Sequence, residues 1–275
     1  MKTNAAYKQR MFSTVKNNKL KIVANKLKID RAVSKKIPEP LPGGTHDPRA
    51  FCWAFVAPPG SGKSTLMNSL ICSKAKCSRV YAKAFNHIYF FVPKSSVRSL
   101  GEHHPLNKHP DDKFYDTFDI DSLEDVMERI ETNAEAGETS LLVLDDIGSQ
   151  LKSSRALEKA FTFLVQRRRH LRCSIMVALQ VWNDMSLSAR KNVSHVCFFK
   201  PSNKKEMLSV WSELLPVEKH EVKPLFDYVY DKPHQFLFAN LLTGNMYKQF
   251  SLLKSNSDDD KESRREKESP KEEAR

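Results

Sequence analysis

Apolar residues fall into short unbroken runs, separated by longer stretches in which they recur at helical spacing. Phe51-Cys52-Trp53-Ala54-Phe55-Val56, His87-Ile88-Tyr89-Phe90-Phe91-Val92 and Ser140-Leu141-Leu142-Val143-Leu144 are three such runs. Cys173-Ser174-Ile175-Met176-Val177-Ala178-Leu179 and His195-Val196-Cys197-Phe198-Phe199 are two more. A run of this length without alternation predicts a strand buried on both faces, as in a parallel sheet. Between them, Leu66–Ile71 predicts a helix, and Ser154 opens another that carries Leu157, Phe161 and Leu164 along one face. Ser122 begins a further helix, with Ser122-x-x-Asp125 resembling a capping box, and that helix is expected to end near Gly137. Arg190-Lys191-Asn192 marks a short helical piece, and residues 204–230 are expected to be helical. Phe236–Asn240 and Met246–Phe250 flank a Thr-Gly-Asn turn and predict a C-terminal β-hairpin. The expected class is α/β, a largely parallel central sheet flanked by helices.

The ends of the chain lack this pattern. Leu20, Val23, Ala24 and Leu27 permit a basic amphipathic helix, and Ile37–Gly44 is a proline-rich linker with a glycine stop. Residues 1–46 are therefore expected to form an arm and linker, 47–253 the folded domain, and 254–275, almost without apolar residues, a disordered charged tail. The net charge of +12 is concentrated in the arm: residues 1–50 hold twelve Lys/Arg against Asp30, Glu39 and Asp47. A basic arm on a nearly balanced domain suits contact with a polyanion. No apolar run approaches the roughly eighteen residues of a membrane span, and Met1–Lys8 shows no secretory signal. The five cysteines form no C-x-x-C pair, so a reducing compartment is expected rather than a disulfide framework or zinc ribbon. His103, His104 and His109 lie in a polar stretch that is expected to be a solvent-exposed loop; none has a diagnostic metal-ligand partner.

Chemistry enters at Ala57-Pro58-Pro59-Gly60-Ser61-Gly62-Lys63-Ser64-Thr65, between a predicted strand and a predicted helix. It fits G-x-x-x-x-G-K-[ST] with Ala57 in place of the first Gly. Gly60 and Gly62 allow backbone N–H groups to converge on an anion at the helix N-terminus. Pro59 to Thr65 are thus candidate contacts to a nucleoside triphosphate. Lys63 would reach the β- and γ-phosphates, and Ser64 would give its hydroxyl to Mg²⁺. At the end of the Ser140 run stand Asp145 and Asp146, where open α/β sheets bind ligands. Asp145 is the candidate metal partner, and Asp146 is the candidate base for an attacking water. Gln180, at the tip of the next strand, could touch the γ-phosphate or that water.

Three uses of the nucleotide compete. Asp145-Asp146-Ile147-Gly148 matches D-x-x-G and Asn203-Lys204-Lys205-Glu206 approaches N-K-x-D, as in GTPases, although Glu206 replaces the required Asp. A second reading is a DNA-associated assembly protein that binds nucleotide without turnover, against which the intact polar set argues. The third rests on motif order. Phosphate loop, paired acids, Arg169-His170, a strand ending in Gln180 and Arg190-Lys191-Asn192 resemble the HerA–FtsK superfamily, especially its poxvirus-type genome-packaging ATPases of large DNA viruses, virophages and related elements. The resemblance covers roughly residues 50–200 and implies a P-loop NTPase of the additional-strand, RecA-like type. It implies ATP and Mg²⁺ as cofactors, Gln180 as sensor, and Arg169 entering a neighbouring subunit's site. It further implies a ring homo-oligomer, a hexamer, acting on double-stranded DNA, with capsid proteins as further partners. The setting would be the host cytoplasm or nucleus during virion assembly. Asp146 stands where many members have Glu, so a shorter carboxylate must serve as base.

Overall fold

A computed structural model describes residues 12–14, 50–72, 81, 84–92, 109–215 and 217–255. The basic helix expected over Leu20–Leu27, the proline-rich linker, His103, His104 and residues 256–275 lie outside the described residues. Ten strands form one sheet: β1 (Phe12–Thr14), β2 (Cys52–Val56), β3 (His87–Phe91), β4 (Phe114–Tyr115), β5 (Ser140–Asp145), β6 (Cys173–Leu179), β7 (His195–Phe199), β8 (Phe236–Asn240), β9 (Met246–Lys248) and β10 (Ser251–Ser255). The helices are α1 (Lys63–Cys72), α2 (Ile120–Glu135), α3 (Gly148–Ser153), α4 (Arg155–Arg167), α5 (Leu187–Arg190), α6 (Lys204–Leu214) and α7 (Lys219–Val229).

The strand order is β1-β10-β9-β8-β7-β2-β6-β5-β3-β4. From β7 to β4 all pairs are parallel, while β8, β9, β10 and β1 extend the sheet antiparallel. Every residue of β2, β6 and β7 is buried. The reason is cover on both faces. On one side Leu123, Phe161, Ala189, Val210 and Leu225 bring α2, α4, α5, α6 and α7 onto Ala54, Ile175 and Val196. On the other, Leu66 and Leu70 of α1 pack with Tyr81 and Phe85 against Trp53, Phe55 and Met176. This is the expected α/β architecture. The strands' lack of polar alternation follows from their two apolar faces.

Four local expectations are corrected. Asp119, rather than Ser122, caps α2: its carboxylate accepts from Ser122 N–H at 2.9 Å and from the Thr117 hydroxyl at 2.7 Å. A charged acceptor at a helix N-terminus is favoured by the helix dipole, and the helix starts two residues early. The stretch before Thr117 is not wholly irregular, because Phe114 and Tyr115 pair with Phe90 and Phe91 as β4. Residues 204–230 make two helices, and Trp211 Nε1 donates to Val217 O across the break between them. The hairpin gains a third strand, since Gln249 at φ 55° turns the chain back into β10.

Candidate active site

The phosphate loop leaves β2 at Ala57, whose N–H donates to Leu179 O at 3.0 Å. Gly60 and Gly62 take φ of 75° and 95°, the left-handed region that side chains disfavour. Leu66 N–H closes the first helical bond on Gly62 O at 2.9 Å. The backbone N–H groups of residues 62–65 precede that bond and form the anion-facing end of α1.

The strand order assembles the rest. β6 lies between β2 and β5, pairing Val56 with Leu179 and Asp145 with Ala178. The next residue along each strand, Ala57, Gln180 and Asp146, therefore emerges at the same edge. Ser64 Oγ donates to Asp145 Oδ2 at 2.8 Å. Gln180 Nε2 lies 2.9 and 3.0 Å from the two carboxylate oxygens of Asp146. Lys63 Nζ stands 3.7 Å from Asp146 Oδ1. Five predicted residues, Lys63, Ser64, Asp145, Asp146 and Gln180, thus form one connected polar cluster beside the loop.

The two carboxylates sit in different surroundings. Burial pushes the Asp145 carboxyl up from its ordinary value, and the Ser64 hydroxyl and the Lys63 ammonium pull it back down. Its Oδ1 is buried with no protein partner. A buried, orphaned carboxylate oxygen beside a hydroxyl suits a divalent cation with oxygen ligands, so the donor set fits Mg²⁺. Asp146 is half exposed and adopts φ 58°. That left-handed backbone turns its side chain out of the strand direction and toward Gln180 and Lys63.

Arg169 does not join this cluster. It is exposed in the turn between α4 and β6, at the edge where the parallel strands begin. Seven residues of β6 separate that turn from Gln180, roughly 23 Å at about 3.3 Å per residue. One arginine side chain cannot span that distance. Its neighbour Arg168 is buried and structural, donating from Nε to Ala50 O at 2.9 Å and from Nη1 to Val165 O at 2.7 Å. Arg190, part of the downstream block, is held by two 2.9 Å bonds to Glu213 and by Met185 O.

The GTPase markers have other roles. Asn203 caps α6, its side chain accepting from Glu206 N–H at 2.9 Å. Gly148 opens α3 packed so closely on Asp184 that a Cβ there would meet the carboxylate. His109, from the stretch expected to be an exposed loop, is half buried. It donates to Ile88 O at 2.8 Å and stands edge-on to Phe90 and Phe114. One neighbour of the phosphate loop was not anticipated. His234, from the loop between α7 and β8, lies with Nδ1 3.2 Å from Ser61 O. It is 173 positions away in the chain and belongs to no short motif.

The sequence matches the family described as Poxvirus A32 protein over residues 47–229. No curated protein matches it. Among solved structures, the chain is similar to the genome packaging NTPase B204 from Sulfolobus turreted icosahedral virus 2 in complex with ATP-gammaS. The TM-score is 0.52 at 14% identity, over 74% of this chain and 98% of that one. B204, the DNA-packaging ATPase from Sulfolobus turreted icosahedral virus, gives 0.51 at 15% identity, over 73% and 97%. At these identities the likeness is one of fold. Among the described residues, no helix is long and apolar enough to cross a membrane.

Proposed function

The chain belongs to the poxvirus A32 protein family, and from that premise we propose that it is a Mg²⁺-dependent ATPase that moves double-stranded DNA, packaging a viral genome into its capsid. One observation carries the reading. Inserting β6 between β2 and β5 brings Gln180 onto Asp146 beside Lys63, Ser64 and Asp145. A protein that only bound nucleotide would need the loop and Lys63. It would have no use for a polar group trained on a second, exposed carboxylate.

The roles follow from the contacts. The N–H groups at the start of α1 and the Lys63 ammonium bind the β- and γ-phosphates. Ser64 Oγ and Asp145 would hold Mg²⁺, which when bound neutralises charge on the phosphate oxygens. Asp146 takes a proton from water as the water oxygen attacks the γ-phosphorus and ADP departs. Gln180, already directed at Asp146, orients that water. Lys63 exchanges its contact with Asp146 for the γ-phosphate when the nucleotide arrives.

Arg169 cannot serve its own chain's site, which supports a role in a neighbour's. There its guanidinium would stabilise charge developing on the γ-phosphoryl group. That geometry requires a ring, a hexamer through which DNA would be threaded, with capsid proteins met at the site of assembly in the host cytoplasm or nucleus. Phosphate release is measured with and without duplex DNA, for wild type, Lys63→Ala and Asp146→Asn. The expected result is DNA-stimulated ATP turnover that both substitutions abolish. Turnover indifferent to DNA refutes translocation, and preference for GTP refutes the ATPase assignment. Arg169→Ala should bind ATP without turning over, and mixing it with Lys63→Ala should restore activity. Mixtures as inactive as their parts refute the trans role.

A further inference from the structure

The contact of His234 with the phosphate loop points to a residue that no motif assigns. Its Nδ1 lies 3.2 Å from Ser61 O and 3.6 Å from where a Cβ on Gly62 would stand. A carbonyl only accepts, so Nδ1 carries the proton and donates. The Ser61–Gly62 peptide is planar, with its C=O and N–H pointing in opposite directions. Holding the Ser61 oxygen on the imidazole therefore fixes the direction of the Gly62 N–H, one of the donors ahead of the first bond of α1. The imidazole also packs against Gly62 at ordinary contact distance, so the loop cannot turn that peptide over without displacing the ring.

His234 is itself held for this task. Its backbone takes φ 59°, a left-handed conformation that persists only where surrounding contacts impose it. Those contacts lie on either side along the chain. Tyr230 Oη donates to Phe198 O at 2.8 Å, tying the loop to the end of β7. Lys248 of β9 pairs with Asp231 at 2.8 Å and donates to Tyr228 O at 2.8 Å. The antiparallel extension of the sheet is thus linked to the nucleotide loop through one side chain.

We infer that His234 is a positioning residue of the nucleotide site: by holding Ser61 O it keeps the Gly62 N–H aimed for phosphate. The inference rests on the ATP-binding reading above. It is tested on the full chain by ATPγS binding, steady-state ATP turnover and thermal melting. The variants are His234→Ala, His234→Gly and His234→Asn, with Lys63→Ala as reference. Glycine accepts the left-handed backbone without supplying a donor; asparagine tolerates it and supplies one. Losing one positioned hydrogen bond should raise Kd and KM about five- to tenfold in the Ala and Gly variants. Their kcat should stay within about twofold of wild type, because uniform binding alone is lost. The Gly variant should melt no lower than wild type, and Asn should recover most of the affinity. Wild-type affinity in His234→Gly overturns the inference, as does a loss confined to kcat. If wild type itself binds ATPγS no better than Lys63→Ala, the nucleotide reading has failed, and His234 with it.

Discussion

Replacing Asp146 by glycine should cost activity and spare stability. Asp146 sits at φ 58°, a conformation that costs an L-residue about 1 kcal/mol and glycine nothing. Against that gain, glycine adds unfolded-chain entropy worth about 0.4–1 kcal/mol. The contact to Lys63, at 3.7 Å with the Asp146 side chain 48% exposed, is a solvent-screened pair worth about 0–1 kcal/mol. These effects nearly cancel, so the net change should be within about 1 kcal/mol, or roughly 2–4 °C in melting temperature for a domain of this size. Turnover should fall about 10²- to 10⁴-fold, the usual contribution of a positioned general base. Asp146→Asn should melt like wild type and be equally inactive, because it keeps the shape and left-handed tolerance but loses the basic oxygen. The assay pairs nucleotide-free melting with phosphate release at saturating ATP. Two results would refute the reasoning: a melting temperature lowered well beyond that range, or turnover above a tenth of wild type.

Other consequences follow from the same contacts. His195 is buried on β7 with Nε2 unpartnered, and burial, with Arg168 nearby, lowers its pKa from 6.5 to about 4. The unfolded chain therefore binds the extra proton first, and stability should drain as pH falls from about 6.5 to 4, by on the order of 3 kcal/mol from this group. His195→Phe should flatten that part of the urea-stability profile, and an unchanged slope would count against it. Arg168→Met should lower the melting temperature, since it leaves the buried Ala50 carbonyl without its donor, at a cost of about 1–3 kcal/mol. Arg169→Ala, one residue on and exposed, should melt like wild type while losing turnover; equal melting shifts in the two would refute the division. Gly148→Ala should destabilise by about 1–3 kcal/mol, because the new methyl meets Asp184, the partner of Lys152. A neutral melt would show that the close packing is not needed.

Much of this protein could be read along the chain. The phosphate loop is contiguous, so its spacing alone sets the glycines, Lys63 and Ser64 at the head of α1. The five apolar runs became β2, β3, β5, β6 and β7 nearly to the residue, because burial on both faces leaves a strand no polar position. Short or weakly apolar pieces were harder to see: β4 is two residues long, and β10 contains Lys254 and Ser255. The start of α2 was misplaced because Asp119 and Ser122 are both good caps, and only the Thr117 contact favours the former.

The catalytic arrangement was less accessible than its members. Gln180 and Asp146 are 34 positions apart, and they meet only because β6 enters the sheet between β2 and β5. Strand order depends on pairing between distant segments, whereas periodicity reports only which faces are covered. The arginines illustrate the same limit. Arg167, Arg168 and Arg169 are alike in a sequence, yet the fold turns Arg168 inward to Ala50 and Val165 and leaves Arg169 in solvent. Finally, His234 reaches the phosphate loop across 173 positions. Local chemistry determined what each segment could bind or bury; the packing of the sheet decided which groups would act together.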